Sequence, residues 1–167
     1  TSTTKTGRDD VGKKLPTVTG IIDSTSMGIT SMHEHVPIDR AHSELERLDA
    51  HQYCVDELTK ARRLGLKTIV EVSTRRDAEG VKRVSDESGV QIIVCTGFYV
   101  DLTNEEKSYS VDDYRRHMMA EIEHGIAGSG IHPGVIKLAA VNENLSDSEV
   151  RIFTAGGMVQ KETGLPV

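Results

Sequence analysis

The 167 residues give room for one domain with a core of its own, and a content of 28% charged and 37% hydrophobic residues is that of an ordinary globular protein. A net charge of −6 lacks the basic footprint of a nucleic-acid binder, and no polybasic run addresses a membrane surface. Aromatic residues are only 4% with no Trp, which argues against stacking platforms for bases or sugars. No apolar run approaches the roughly 18 residues of a transmembrane helix and no signal-peptide core is visible, so a cytoplasmic location is expected.

Residues 1–15 read as a polar, loosely ordered lead-in, rich in Thr, Lys, Asp and Gly. Leu15 to Ile22 suggests a small hairpin arm, with Asp23 to Met27 as its turn. Gly28 to Val36 reads as the first strand of the main sheet, and Pro37 to Arg47 as a charged loop. Leu48 to Leu64 is predicted helical, with Cys54, Val55, Leu58 and Ala61 on one face and Gly65 at the position of a C-terminal cap. Lys67 to Ser73 is a second strand, Asp77 to Ser88 a short helix closed by Gly89, and Gln91 to Thr96 a third strand, apolar on both faces. A loop from Gly97 to Ser110 precedes a helix over Val111 to Ile126. Gly134 to Val141 is a fourth strand. Ser146 opens a final helix through a capping box with Glu149, and that helix ends at Gly164. Leu165-Pro166-Val167 reads as the first residues of a fifth strand. Strand and helix alternate four times, the pattern of a parallel sheet with right-handed crossovers, either doubly wound or the start of an eight-fold barrel. No phosphate-binding glycine fingerprint follows the first strand.

Chemistry concentrates at strand ends. On a strand His33 and His35 point to one face and Glu34 to the other, so the two imidazoles either grip one metal ion or form a polar strand end. Lys137 lies between Ile136 and Leu138 inside the fourth strand, where a charge is costly unless it is paired or neutralised. One reading lays its stem along the core with the ammonium in solvent. The other lets its pKa fall, so that the neutral amine takes up carbon dioxide as a carbamate, an anionic ligand able to bridge two metal ions. Cys54 and Cys95 fit no metal or redox spacing and read as small core hydrophobes. His42, His51, His117, His124 and His132 read as ordinary surface polar residues. Arg75, Arg76 and Asp77, just past the second strand, either bind substrate or form a solvated loop with Asp77 as a helix N-cap.

Thr30-Ser-Met-His-Glu-His35, Cys95-Thr-Gly-Phe-Tyr99 and Ile131-His-Pro-Gly-Val-Ile-Lys-Leu138, in this order, resemble the phosphotriesterase family, metal-dependent hydrolases of the amidohydrolase group of TIM barrels. The resemblance covers about residue 16 to the end. It implies an α/β fold, a (β/α)8 barrel of which 16–167 supplies about the first four β/α units. It implies that His33 and His35 bind the more buried of two divalent metal ions and that Lys137, as its carbamate, bridges both. Tyr99 matches the tyrosine that lactone-hydrolysing members place beside a metal-bridging hydroxide, in contact with substrate. Zinc suits imidazole ligands, and iron, cobalt or manganese also fit a mixed nitrogen–oxygen site. The implied substrates are small-molecule lactones, organophosphate esters or carboxylic esters, attacked by that hydroxide, and the complete enzyme is expected to be a homodimer.

The family also carries histidine ligands on strands five and six and an aspartate on strand eight, beyond the start of strand five where this sequence stops. The 167-residue chain alone is therefore expected to be inactive, with two unpaired sheet edges. The competing expectation is a truncated α/β protein that has a fold but lacks the second half of a metal site.

Overall fold

The computed structural model describes residues 12–36, 43–141 and 143–167. Its centre is a four-stranded parallel sheet made of β3 (Ile29–Glu34), β4 (Leu66–Glu71), β5 (Gln91–Gly97) and β6 (Val135–Lys137). β1 (Lys14–Thr17) and β2 (Gly20–Asp23) form an antiparallel hairpin in front of it. The helices are α1 (Glu44–Arg63), α2 (Ala78–Ser88), α3 (Val111–His124) and α4 (Asp147–Thr163). Spatial order in the sheet follows chain order, β3-β4-β5-β6. A doubly wound sheet reverses direction at a switch point; these four strands do not, so of the two parallel architectures the sequence allows, they follow the barrel-like winding.

Both faces of the sheet are covered, which is why the strands read as continuous apolar runs rather than alternating ones. On one face Ile69, Ile92 and Val94 pack against Val55, Val81 and Val84 of α1 and α2. On the other, Val70, Ile93 and Cys95 meet Leu15 of the hairpin and Met27. A third cluster joins Ile136 of β6 to Tyr114 and Met118 of α3 and Ile152 and Val159 of α4. Each such fully buried side chain contributes about 1.5–3 kcal/mol. The hairpin covers the ends at which strands begin: Val18 N donates to Ile92 O at 2.9 Å, and Pro16 lies against Gly134. The opposite ends, where the strands finish, are left to the loops.

Several expected boundaries move. The hairpin turns at Val18-Thr19, and Asp23 instead caps a 3₁₀ turn over Ser24–Ser26 that leads into β3. α1 begins four residues before Leu48, because the Ser43 side chain accepts from Glu46 N at 3.1 Å and caps it there. Part of the predicted Pro37 to Arg47 loop lies outside the described residues. β4 stops at Glu71 rather than Ser73. α3 stops at His124, where Gly125 takes φ 82°, and Ile126–Gly128 forms a separate 3₁₀ turn. The fourth strand holds only Val135–Lys137, because the chain leaves the sheet after Lys137 and Leu138 turns against α4. Lys137 is thus the last residue of its strand and half-buried, not enclosed within it. The caps at Asp77, Gly89, Ser146 with Glu149, and Gly164 form as expected. Leu165–Val167 is not a strand, yet Ile136 N donates to Pro166 O at 2.8 Å, a first rung beyond β6.

Gly156 and Gly157, adjacent in the middle of α4, play opposite parts. A Cβ on Gly156 would lie 2.8 Å from both Leu138 methyl carbons, so its absence is what lets α4 sit close on the end of β6. A Cβ on Gly157 would meet nothing within 4 Å. Gly97 is more tightly constrained: at φ +123°, its Cβ would fall 2.0 Å from Lys137 O. Gly157→Ala should therefore stabilise the protein by about 0.5–1 kcal/mol. Gly97→Ala should cost more than the about 1–3 kcal/mol of backbone strain alone. Urea midpoints that moved the same way for both would contradict this packing.

Candidate active site

The loops at the strand ends surround a cavity of about 710 Å³, whose lining includes His33, His35, Ser73, Arg75, Tyr99 and Lys137. His33 is in β3 and His35 one residue past its end. Their ring centroids are 5.4 Å apart at an interplanar angle of 68°, so the shared face expected from strand alternation is present. Glu34, between them, accepts from the Ser31 hydroxyl at 2.5 Å. Lys137 reaches the same cavity from the end of β6, and Tyr99, 43% exposed, from the loop after β5. Three elements well separated in sequence thus bring together the four side chains singled out above.

The ground beneath them was not expected. Glu71, the last residue of β4, is fully buried. Burial pushes its carboxyl above the ordinary 4.5, although the Ser73 hydroxyl, the Ser73 N–H and the Arg76 charge all oppose the rise. Ser73 N donates to Glu71 Oε1 at 3.0 Å, while Oε2 has no hydrogen-bond partner. The Ser73 hydroxyl lies 2.9 Å from His35 Nδ1. Arg76 is not solvated: its side chain is 1% exposed. It donates to the Ser73 carbonyl and the Cys95 carbonyl, and lies 3.7 Å from Glu121 of α3, which accepts from Thr96 Oγ1 at 2.6 Å. A glutamate inside an otherwise apolar strand, Ile-Val-Glu-Val, was the one sequence signal of this network.

Arg75 is the exposed member of the pair. It donates to Glu106 at 2.7 Å and to the Asp101 carbonyl at 3.1 Å, tying the loop after β4 to the loop after β5. Burial works to raise the Glu106 carboxyl, but Thr103 and Arg75 outweigh it and hold it below its usual value. Behind Tyr99 and Arg75 lies a second cavity of about 330 Å³, where His117 packs against Phe98 with ring centroids 4.9 Å apart. Burial pushes the Cys95 thiol up to about 12, which keeps it an unreactive core residue. His51 pairs with Glu87 at 3.0 Å, and His132 Nδ1 lies 2.9 Å from Ile122 O. His42 lies outside the described residues.

Among the described residues no three His, Cys, Asp or Glu side chains gather as a metal site. Two imidazoles facing one cavity supply half of a four-coordinate sphere, and an amine at its rim becomes an oxygen donor only after modification. The donor set therefore fits a divalent transition metal, as part of a larger site.

Glu71 gives a titration with a definite sign. Its native pKa lies above the unfolded value near 4.5, so between the two the native state holds more protons and stability falls as pH rises. Glu71→Gln does not titrate. Its stability relative to the parent should increase from about pH 4 upward through the raised native value and then level off. Equal pH dependence of both proteins in urea melts between about pH 4 and pH 8 would contradict the buried placement of Glu71.

The sequence profile of the phosphotriesterase family matches residues 13–167. The phosphotriesterase homology protein of Escherichia coli K12 is 29% identical over 149 residues, 84% of this chain and 51% of that protein. The N-acetyltaurine hydrolase of Homo sapiens is 29% identical, covering 92% of this chain and 55% of its own. The aryldialkylphosphatase of Saccharolobus solfataricus is 28% identical, covering 87% and 50%. A solved structure of a mutant organophosphorus hydrolase superposes with a TM-score of 0.81 at 30% identity, over 93% of this chain and 52% of that one. The chain spans about half the length of the curated relatives it matches. Its curled parallel sheet resembles part of that hydrolase's barrel. Matched by the family profile over nearly its whole length, the chain belongs to the phosphotriesterase family.

Proposed function

We propose that the protein is a metal-dependent hydrolase that cleaves lactones, organophosphate esters or carboxylic esters, and that the described strands are the first four β/α units of its barrel. The observation that carries this reading is the convergence of His33, His35 and Lys137 on one cavity at the strand ends. Family membership and relatives that include an aryldialkylphosphatase support it. A cytoplasmic homodimer that uses zinc, with iron, cobalt or manganese as substitutes, belongs to the same proposal.

His33 and His35 would hold the more buried ion through ring nitrogens. Lys137 would combine with carbon dioxide, losing a proton, to give a carbamate that would offer anionic oxygen ligands to the metal site. When bound, the ions supply Lewis-acid polarisation of the substrate's carbonyl or phosphoryl oxygen and a water of lowered pKa. Tyr99, on the cavity wall, orients the substrate or its leaving group. The 167 residues by themselves carry three of the ligands such a site needs and are expected to show no turnover.

In protein carrying the complete ligand set, His33→Ala should lower metal content and bring hydrolysis to background while the fold persists. Lys137→Ala should lose activity and regain part of it with a small added carboxylate. Lys137→Arg should stay inactive, because a guanidinium remains protonated and cannot form a carbamate. Metal analysis with lactone, phosphotriester and N-acetyltaurine assays run side by side reads all three. Unchanged metal stoichiometry in His33→Ala, or full activity in Lys137→Arg, would remove the assignment.

A further inference from the structure

An arginine on a cavity wall is ordinarily a poor barrier, because holding so long a side chain in one place costs rotamer entropy. Arg75 is held nonetheless. Its Nη2 donates to Glu106 Oε2 at 2.7 Å and to the Asp101 carbonyl at 3.1 Å, and its Nε lies 3.5 Å from the Asp101 carboxylate. Charge-assisted bonds are the strong ones, and a planar guanidinium loses little freedom for each bond it adds. Glu106 is itself fixed. Its side chain is 15% exposed, its Oε2 also accepts from Thr103 N at 2.6 Å, and its own N–H donates to Thr103 Oγ1 at 3.1 Å. From α3 the Tyr114 hydroxyl donates to the Glu106 carbonyl. Arg75 thus leans on an anchored carboxylate.

It stands between two cavities. The one of about 710 Å³ that holds His33, His35 and Lys137 and the one of about 330 Å³ behind it share four lining residues, Thr74, Arg75, Tyr99 and Asp101. Thr74 is short, and Tyr99 makes no hydrogen bond or ring contact among the described residues. The long, clamped side chain in this wall is that of Arg75. The far side of the second cavity is largely apolar, with Phe98, Leu102, Ile126 and Ala127, and its lining contains neither histidine nor lysine of the proposed metal site. Its volume lies within the span of small-molecule sites, about 300–1,000 Å³.

We propose that Arg75 determines how far a substrate extends: clamped by Glu106 and Asp101, it closes the larger cavity on the side of the second one, and without it an alkyl or aryl chain of the substrate would run on against Phe98, Leu102 and Ile126. The choice of substrates rests on the hydrolase reading, whereas the shared wall is seen directly. Arg75 selects among substrates in this role and takes no part in bond cleavage.

In protein carrying the complete ligand set, kcat/KM is measured for two series of carboxylic esters, one lengthened in the acyl chain from acetate to octanoate and one in the alcohol from methyl to octyl. In Arg75→Ala the ratio of the longest to the shortest ester should rise about 10-fold or more in one of the series, since even a single methylene accepted by an apolar pocket is worth about that much. Arg75→Lys, which keeps a long cationic side chain beside Glu106, should stay near the native ratio. Glu106→Gln, which weakens the clamp and leaves the arginine in place, should shift the ratio in the same direction by less. Unchanged ratios in both series for Arg75→Ala overturn the proposal, and so does an equal fall for every ester, which would mark Arg75 as a tie between loops and nothing more. If Arg75→Ala does not fold, unchanged ratios in Glu106→Gln overturn it instead. If the native protein cleaves no ester, the hydrolase reading fails, and a crystal structure of Arg75→Ala decides the wall by itself: one continuous cavity upholds it, and two separate cavities overturn it.

Discussion

One buried guanidinium holds the functional edge together. Arg76 has 1% of its side chain in solvent, and it joins the carbonyl of Ser73 after β4 to the carbonyl of Cys95 in β5, with Glu121 of α3 beside it. Two strands and a helix are fastened at the level where the strands end. The bonds are charge-assisted, and a charge removed from water needs them: breaking a buried pair by deleting one partner typically costs about 3–5 kcal/mol. Glu71 adds a buried carboxyl nearby, and between them the two residues engage both backbone groups of Ser73.

The site follows from that edge. Parallel strands place all their finishing ends on one side, and the hairpin covers the other, so the loops can build a cavity on only one side. His33, Lys137 and Tyr99 are each within a few residues of a strand end, where the backbone is fixed by the ladder but the side chain reaches open space. The register that pairs Gly97 with Lys137 sets how far the lysine protrudes, and only a residue without a Cβ allows that approach. Arg75 then ties the loops on either side of the cavity through Glu106 and Asp101.

Much of this could be read in advance where the signal was local. The alternation that puts His33 and His35 on one face, the capping box at Ser146, and the glycines closing α2 and α4 depend on neighbours a few residues away, and the structure has them. What escaped depended on partners brought together by folding. Arg76 looked solvated because nothing in Thr-Arg-Arg-Asp reveals that its guanidinium reaches a carbonyl 19 residues on. Gly156 makes room for a leucine on another element, which nothing within its own helix reveals. Lys137 looked enclosed because the apolar run through Val141 continues past the sheet, serving the cavity wall and α4 instead. The start of α1 was a nearer miss, since the Ser43-x-x-Glu46 pattern was present in the sequence.

The central claim is that His33, His35 and Lys137 form one metal-binding face. Anomalous diffraction at the zinc edge, from crystals of the metal-loaded protein with its full ligand set, tests it most directly. The account predicts a metal peak about 2.0–2.1 Å from a ring nitrogen of each histidine, with an oxygen carried by a modified Lys137 at about 2.0–2.2 Å. A peak elsewhere, or a metal held by the histidines while Lys137 remains an unmodified amine, would contradict it.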